Sequence, residues 1–302
     1  MTEGPPTRST VAGRAYLDLR SQAKKAGRAT DEYLRLYALE GFLARLAESA
    51  QRDAFVVKGG VLLAAYAVRR PTVDIDLAGL DMSNDVETVT SLVLSAADTV
   101  ASTDDGLTLD TLLATAAVIR DGDEYSGVRV SLAAHLSTAK LPFHVDVNVG
   151  DPIWPPPETI RVPRLLGGQI ELLGYPLSMV LAEKLVTAAQ RGAANTRWRD
   201  FADVYSLTRT HPILASEVHQ AVSEVARHRR VDLDPLRVAL AGYPEAGQGR
   251  WAAWRAKQRL EDRLPLDFRE VVEHVLTFAD GCFHALPTGR GAKWSPRTLG
   301  WH

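Results

Sequence analysis

Between Val57 and Leu77 the sequence reads VKGGVLLAAYAVRRPTVDIDL, placing Asp74 and Asp76 one residue apart in an apolar run. Alternation with period two turns Val73, Ile75 and Leu77 to one side of a strand and both aspartates to the other. Two carboxylates on one strand face repel each other unless a cation lies between them, so a metal is the first inference. Ahead of them, the run 54–57 predicts a short strand. Gly59-Gly60 predicts its turn, and 61–68 a helix that returns the chain to the sheet.

A second run with the same alternation follows at 141–149. Leu141, Phe143, Val145, Val147 and Val149 share one face, and His144, Asp146 and Asn148 the other. An acid inside so apolar a strand needs a partner or a purpose. Asp146 reads as a third carboxylate for the same cation, or as the ion-pair partner of Arg70 or His144. His144 reads as a group that orients a ligand or as ordinary packing.

Around these runs the patterning gives an irregular start over residues 1–15 and a helix from Thr30, with Thr30 as its N-cap and Asp31 and Glu32 in its first turn. A helix is expected over 84–100, a turn at Asp104-Asp105-Gly106, and strands over 109–119 and 127–135 joined by the turn-like DGDEYSG. The Pro-rich stretch 151–157 breaks the pattern and starts a boundary region reaching Gly168. Beyond it, helices are expected over 176–191, 198–208, 215–228, 250–261 and 267–280, then an irregular tail from Pro287. The division expected is an N-terminal arm of residues 1–29, a catalytic domain of 30–165 and a helical domain of 166–302. The fold class is α/β (α+β): a domain with a small mixed sheet followed by a mainly helical one.

The 302 residues allow two domains. A single cysteine, Cys282, excludes an intramolecular disulfide and suits a reducing compartment, and no apolar run is long enough to span a bilayer. Together with an N-terminus lacking an apolar signal region, this gives the expectation of a cytoplasmic protein without a membrane partner. The net charge of -2 hides an asymmetry: residues 1–160 carry 15 Lys/Arg against 22 Asp/Glu, and residues 161–302 carry 20 against 15. An acidic half joined to a basic half suits a metal site beside a surface for a phosphate-rich partner. Solvated helix faces produce the same imbalance.

Metal-assisted transfer of a phosphoryl or nucleotidyl group needs carboxylates that converge on a hard cation and backbone amides that approach the phosphates closely. A glycine pair, a spacer over 61–73, Asp74-Ile75-Asp76 and the later Asp146 follow that order. This arrangement resembles the nucleotidyltransferase fold of the DNA polymerase beta superfamily. With Lys58 before the glycines, and Arg70 and Thr72 before Asp74, it is similar to the AbiEii/AbiGii toxin nucleotidyltransferases. Glu183-Lys184 and Arg199-Asp200-Phe-Ala-Asp203 resemble that family's later lysine and Arg-Asp-x-x-Asp motifs. The chain departs at Gly60, where many superfamily members carry Ser.

The resemblance implies an enzyme in which Asp74, Asp76 and Asp146 hold Mg2+. The amides of Gly59 and Gly60, with Lys58, Arg70, Thr72 and Lys184, face the triphosphate of an NTP. Lys184 is read as catalytic together with Asp200, while Asp203 shares the role left open for Asp200. Read as residues alone, Lys184 also suits a solvated helix face, and Asp200 a helix cap or a pair with Arg197 or Arg199. The resemblance further implies a toxin with a cognate antitoxin, transferring NMP from an NTP, CTP or UTP being favoured, to the tRNA acceptor end and so blocking aminoacylation. Arg191, Arg197, Arg199 and the cluster at 227–230 are the candidate RNA surface. Other acceptors stay open, namely a protein or small-molecule hydroxyl, as does an inactive nucleotide- or RNA-binding module. A phosphate on Thr72 placed by the antitoxin is an expected off-switch.

Overall fold

The computed structural model describes residues 5–120, 126–283 and 291–302. The turn expected at 121–127 lies outside them except for its last two residues, as do residues 287–290 of the tail. The chain divides into two compact units, one of Met1–Gly150 with Glu158–Tyr175, the other of Asp151–Pro157 with Pro176–His302.

In the first unit α1 (Val11–Lys25) and α2 (Thr30–Glu48) precede β1 (Phe55–Lys58), a single helical turn α3 (Gly59–Leu62) and β2 (Asp74–Gly79). There follow α4 (Val86–Ala97), β3 (Leu107–Arg120), β4 (Ser126–Leu136), β5 (Ala139–Val149), β6 (Glu158–Pro163) and β7 (Gln169–Gly174). Among the described residues the strands form one sheet of seven in the order β3-β4-β5-β2-β1-β7-β6. It is mixed: β2 lies parallel to β5 and β1 parallel to β7, and the other neighbours are antiparallel. Of the apolar side chains predicted to share a face, all but Val73 and Val149 are buried; Val73 is exposed because it precedes β2, which begins at Asp74. Ile75, Leu77, Val145, Val147, Val128 and Val130 are buried, and Phe42 of α2 meets Phe143 edge-on at 6.1 Å. Polar pairs then pin α2 to the loops around the sheet: Arg45 grips both oxygens of Asp105, and Glu40 accepts from Arg69 and from the Leu165 amide.

Several elements differ from expectation. The arm is not irregular throughout, because Thr10 caps α1 through the Gly13 amide at 3.0 Å, and Ala15, Leu19 and Ala23 are buried. Ala29, not Thr30, is the N-cap of α2, and it supplies no side-chain bond. The helix expected over 61–68 is one turn followed by tighter i to i-3 bonds from Ala64 to Ala67. The hairpin of β6 and β7 was missed, although I-R-V and I-E-L alternate; two positive-φ glycines, Gly167 and Gly168, make its turn. It brings the expected mixed sheet to seven strands.

The second unit is mainly helical: α5 (Leu177–Arg191), α6 (Trp198–Thr208), a two-residue strand β8 (Ile213–Leu214), α7 (Ala215–Arg229), α8 (Leu236–Ala239), α9 (Tyr243–Lys257) and α10 (Phe268–Phe283). The helix α9 starts well before the expected position 250, since Gly242 adopts a positive φ of 73° and Pro244 suits the first turn. From residue 291 on the tail carries regular structure: β9 (Lys293–Ser295) and β10 (Gly300–Trp301) pair with each other, and β9 with β8. Its anchor is Trp294, fully buried, whose indole N–H donates to the Thr208 carbonyl at 2.7 Å. Phe201, Tyr243, Trp251 and Phe268 complete this core. Among the described residues no helix is long and apolar enough to cross a membrane.

Candidate active site

The strand register gathers the site. Lys58 of β1 stands opposite Asp76 of β2, Asp76 opposite Asp146 of β5, and Asp146 opposite Arg129 of β4. Residues directly opposite project on the same side of a sheet, so four strands present one row with a cation at each end and two carboxylates between. Two residues along, on that same face, Asp74 lies opposite His144 and His144 opposite Ser131. The three acids foreseen from alternation therefore share one patch of the first unit.

Each acid is held differently. Asp146 is buried, and Arg129 grips both its oxygens, Nε on Oδ1 at 2.7 Å and Nη2 on Oδ2 at 2.6 Å. The Asp146 hydrogen bonds, with the charges of Asp146, Asp74 and Asp76 and against the effect of burial, push the Arg129 guanidinium above its ordinary pKa. Asp76 lies against the glycine turn. A Cβ on Gly59 would come within 1.9 Å of Asp76 Oδ2, and Gly59 has a φ of +66°. Asp74 opens β2, half-buried, and its carboxylate makes no hydrogen bond among the described residues. Lys58 is buried with its Nζ 5.5 Å from the centre of the Tyr175 ring.

Gly60, the departure from the expected Ser, has a local cause. A Cβ there would meet Thr72 Oγ1 at 2.7 Å and Arg70 Nη1 at 3.3 Å. Thr72 thus occupies the space a side chain at 60 would need, and its hydroxyl donates to the Asp74 carbonyl at 3.3 Å. Arg70 donates to the Pro71 carbonyl at 3.2 Å. His144 Nδ1 is 3.0 Å from Ser131 Oγ, a packing partner on the neighbouring strand.

In the second unit the structure joins three other predicted residues. Lys184 of α5 donates to Asp200 Oδ1 at 2.9 Å and to Asp203 Oδ2 at 2.8 Å, both on α6, where a spacing of three puts them on one face. Arg197 adds an ion pair to Asp200 at 3.4 Å. Burial raises the Asp200 pKa, but the charges of Lys184, Arg197 and Arg199 outweigh it, so the carboxyl sits below its usual range. Lys184 is thus not a solvated lysine. Of the basic residues expected to face RNA, Arg227 pairs with Glu224 and Arg229 with Glu183 and Thr187, while His228 Nε2 lies 3.8 Å from an Asp151 carboxylate oxygen.

Arg129 is the site residue that sequence reasoning missed. The β4–β5 hairpin turns at Ser137 and Thr138, and counting back from that turn puts Arg129 opposite Asp146. The alternation Val128-Arg129-Val130 carried the signal, but register is visible only once the turn is located. Among the described residues no three His, Cys, Asp or Glu side chains already converge as a metal site. The donors nevertheless suit Mg2+: they are hard carboxylate oxygens, Asp76 and Asp146 are direct neighbours on parallel strands, and Asp74 shares their face. Arg129 holds the third, Asp146, through both its oxygens.

A family model described as nucleotidyl transferase AbiEii toxin, type IV TA system, matches residues 41–274. No curated protein matches the chain. Two Helicobacter pylori crystal structures are similar to it, each at 14% identity. The protein JHP933 matches over 80% of this chain and 90% of its own with a TM-score of 0.44. A candidate nucleotidyltransferase matches over 85% and 100% with a TM-score of 0.47.

Proposed function

The chain belongs to the AbiEii nucleotidyltransferase toxin family, of type IV toxin–antitoxin systems, and from that premise we propose that it transfers NMP from an NTP to the 3′ end of tRNA. The observation that carries the catalytic reading is the register of Asp76 against Asp146, with Asp74 on the same face and the Gly59 backbone packed on Asp76. Asp74, Asp76 and Asp146 would hold Mg2+, which, when bound, neutralises phosphate charge and makes an acceptor hydroxyl more acidic. The amides of Gly59 and Gly60 approach the triphosphate closely because neither residue carries a Cβ. Lys58 and Arg70 supply positive charge beside it.

In the transfer, the acceptor oxygen forms a bond to the α-phosphorus and the bond from that phosphorus to the departing pyrophosphate breaks. The acceptor hydroxyl gives its proton to water as it attacks, and pyrophosphate leaves. A nucleotide added beyond the tRNA 3′ end would block aminoacylation, and that block would make the transferase a toxin. Its partners are then CTP or UTP, tRNA and a cognate antitoxin.

The test is to incubate the protein with Mg2+, each labelled NTP in turn and total tRNA, then sequence the RNA 3′ ends, beside an Asp74→Ala control. We expect label on tRNA from CTP or UTP and a rate at least about 100-fold lower in the control. Label on protein or on small molecules without RNA would move the acceptor to one of those classes. An Asp74→Ala enzyme of full activity would overturn the scheme.

A further inference from the structure

We propose that Arg129 is a gate on the third carboxylate: it holds Asp146 in place of a metal, and a cation takes Asp146 as a ligand only when the guanidinium lets go. The proposal rests on the metal-dependent reading of the acidic row and goes beyond it by naming what competes for the site.

The geometry carries the argument. Both oxygens of Asp146 accept from Arg129, at 2.7 and 2.6 Å, a two-point grip that takes one lone pair on each oxygen and fills the side of the carboxylate where a bidentate cation would sit. Asp146 is nine-tenths buried, whereas the Arg129 side chain is 37% exposed and so has room to swing away. Asp74 and Asp76, although on the same face, are not gripped by Arg129 in this way; they act on it only through their charge. The three acids are therefore unequal: the β2 pair is the resident part of the site, and Asp146 is conditional. Lys58 cannot replace Arg129, since in the row it stands beside Asp76 rather than Asp146.

The gate also explains how three carboxylates coexist on one face. Neighbouring carboxylates repel, and a buried one without a partner is costly. Arg129 supplies a countercharge to Asp146, and Lys58 stands opposite Asp76 at the other end of the row. Metal binding at Asp146 is then an exchange of one cation for another, and its affinity is lowered by the grip it must break.

The test is Mn2+ binding to the nucleotide-free full chain, read from the paramagnetic resonance signal of unbound Mn2+, in a cycle of wild type, Arg129→Gln, Asp146→Asn and the double variant. Arg129→Gln should bind Mn2+ about tenfold more tightly than wild type, and its metal-free form should melt at a lower temperature. That gain should vanish when Asp146 is also replaced by Asn. A gain of equal size in the Asp146→Asn background would mean that Arg129 acts only through long-range charge, and would overturn the gate. So would unchanged or weaker binding in a folded Arg129→Gln protein. Should that variant fail to fold, Arg129→Lys keeps the charge and loses the fork; tighter binding in it supports the gate, and unchanged or weaker binding overturns it. Binding that Asp74→Ala abolishes but Arg129 substitution leaves untouched sinks the gate alone. No Mn2+ binding in any of these proteins sinks the metal reading with it.

Discussion

Gly59 has two separate reasons to be glycine, and they act on different atoms. Its φ of +66° is a conformation that side chains disfavour, and a Cβ would also press on Asp76 Oδ2 at 1.9 Å and Cγ at 2.5 Å. The carboxylate cannot yield easily, because Asp76 sits within β2 between Lys58 and Asp146. We expect Gly59→Ala to lose about 2 to 4 kcal/mol of stability, from overpacking and backbone strain together, and to displace the one carboxylate that touches the turn. A urea unfolding midpoint equal to wild type would show that the turn adapts. Arg129 illustrates the opposite kind of residue. The alternation around it shows only which face it takes, and its role exists only through a partner seventeen positions away.

At the scale of elements, α6 and α10 of the second unit meet over His274, whose Nε2 is 2.6 Å from Thr208 Oγ1 and whose ring lies edge-on to Tyr205 and Trp294. Burial, with a smaller push from the Arg209 charge, lowers its pKa to about 4 from an ordinary 6.5. A base with a depressed pKa binds fewer protons folded than unfolded over that window. Its contribution is therefore fully present above about pH 6.5 and is lost as pH falls toward 4. Thermal unfolding followed from pH 7 to 4 should show this loss, and His274→Asn should flatten it; an equal slope in the variant would assign the loss to other groups. Elements also mark how far the sequence could be read. The strands β2 and β5 and the helices α5 and α6 were legible because one buried face leaves a period of 2 or 3.6 in the residues themselves. The hairpin of β6 and β7 carried the same alternation but lay beside the Pro-rich stretch, which drew the reading toward a boundary. The strands β8, β9 and β10 were illegible for a different reason: with two or three residues each, they have no period, and Trp294 is pinned by contacts distant in sequence. The acids of the site were visible as a pattern, whereas the cation on Asp146 depended on register.

Over the whole molecule, the charge asymmetry read from the sequence overstates what RNA would encounter. The C-terminal half carries 20 Lys/Arg against 15 Asp/Glu, yet many of its cations are already committed within the second unit. Arg197 and Lys184 serve Asp200, Arg229 serves Glu183, Arg227 serves Glu224, Arg237 serves Glu273 and Arg269 serves Glu245. Releasing such a pair to bind a phosphate exchanges one ionic contact for another and gains little. Exposed Arg199, on the first turn of α6, is better suited to a phosphate. Few phosphates should therefore be neutralised, about two to four, and each contributes roughly 0.7 to the slope of log affinity against log salt for single-stranded RNA. We expect tRNA affinity to fall with salt with a slope of about -1.5 to -3 by this reckoning. Filter binding from 50 to 300 mM salt, on the order of the range where such slopes are resolved, measures it directly. A flat response would remove the phosphate surface and shift recognition to the bases of the acceptor end. A much steeper one would mean that the internal ion pairs open on binding, and substitution of Glu183 or Glu224 should then strengthen the complex.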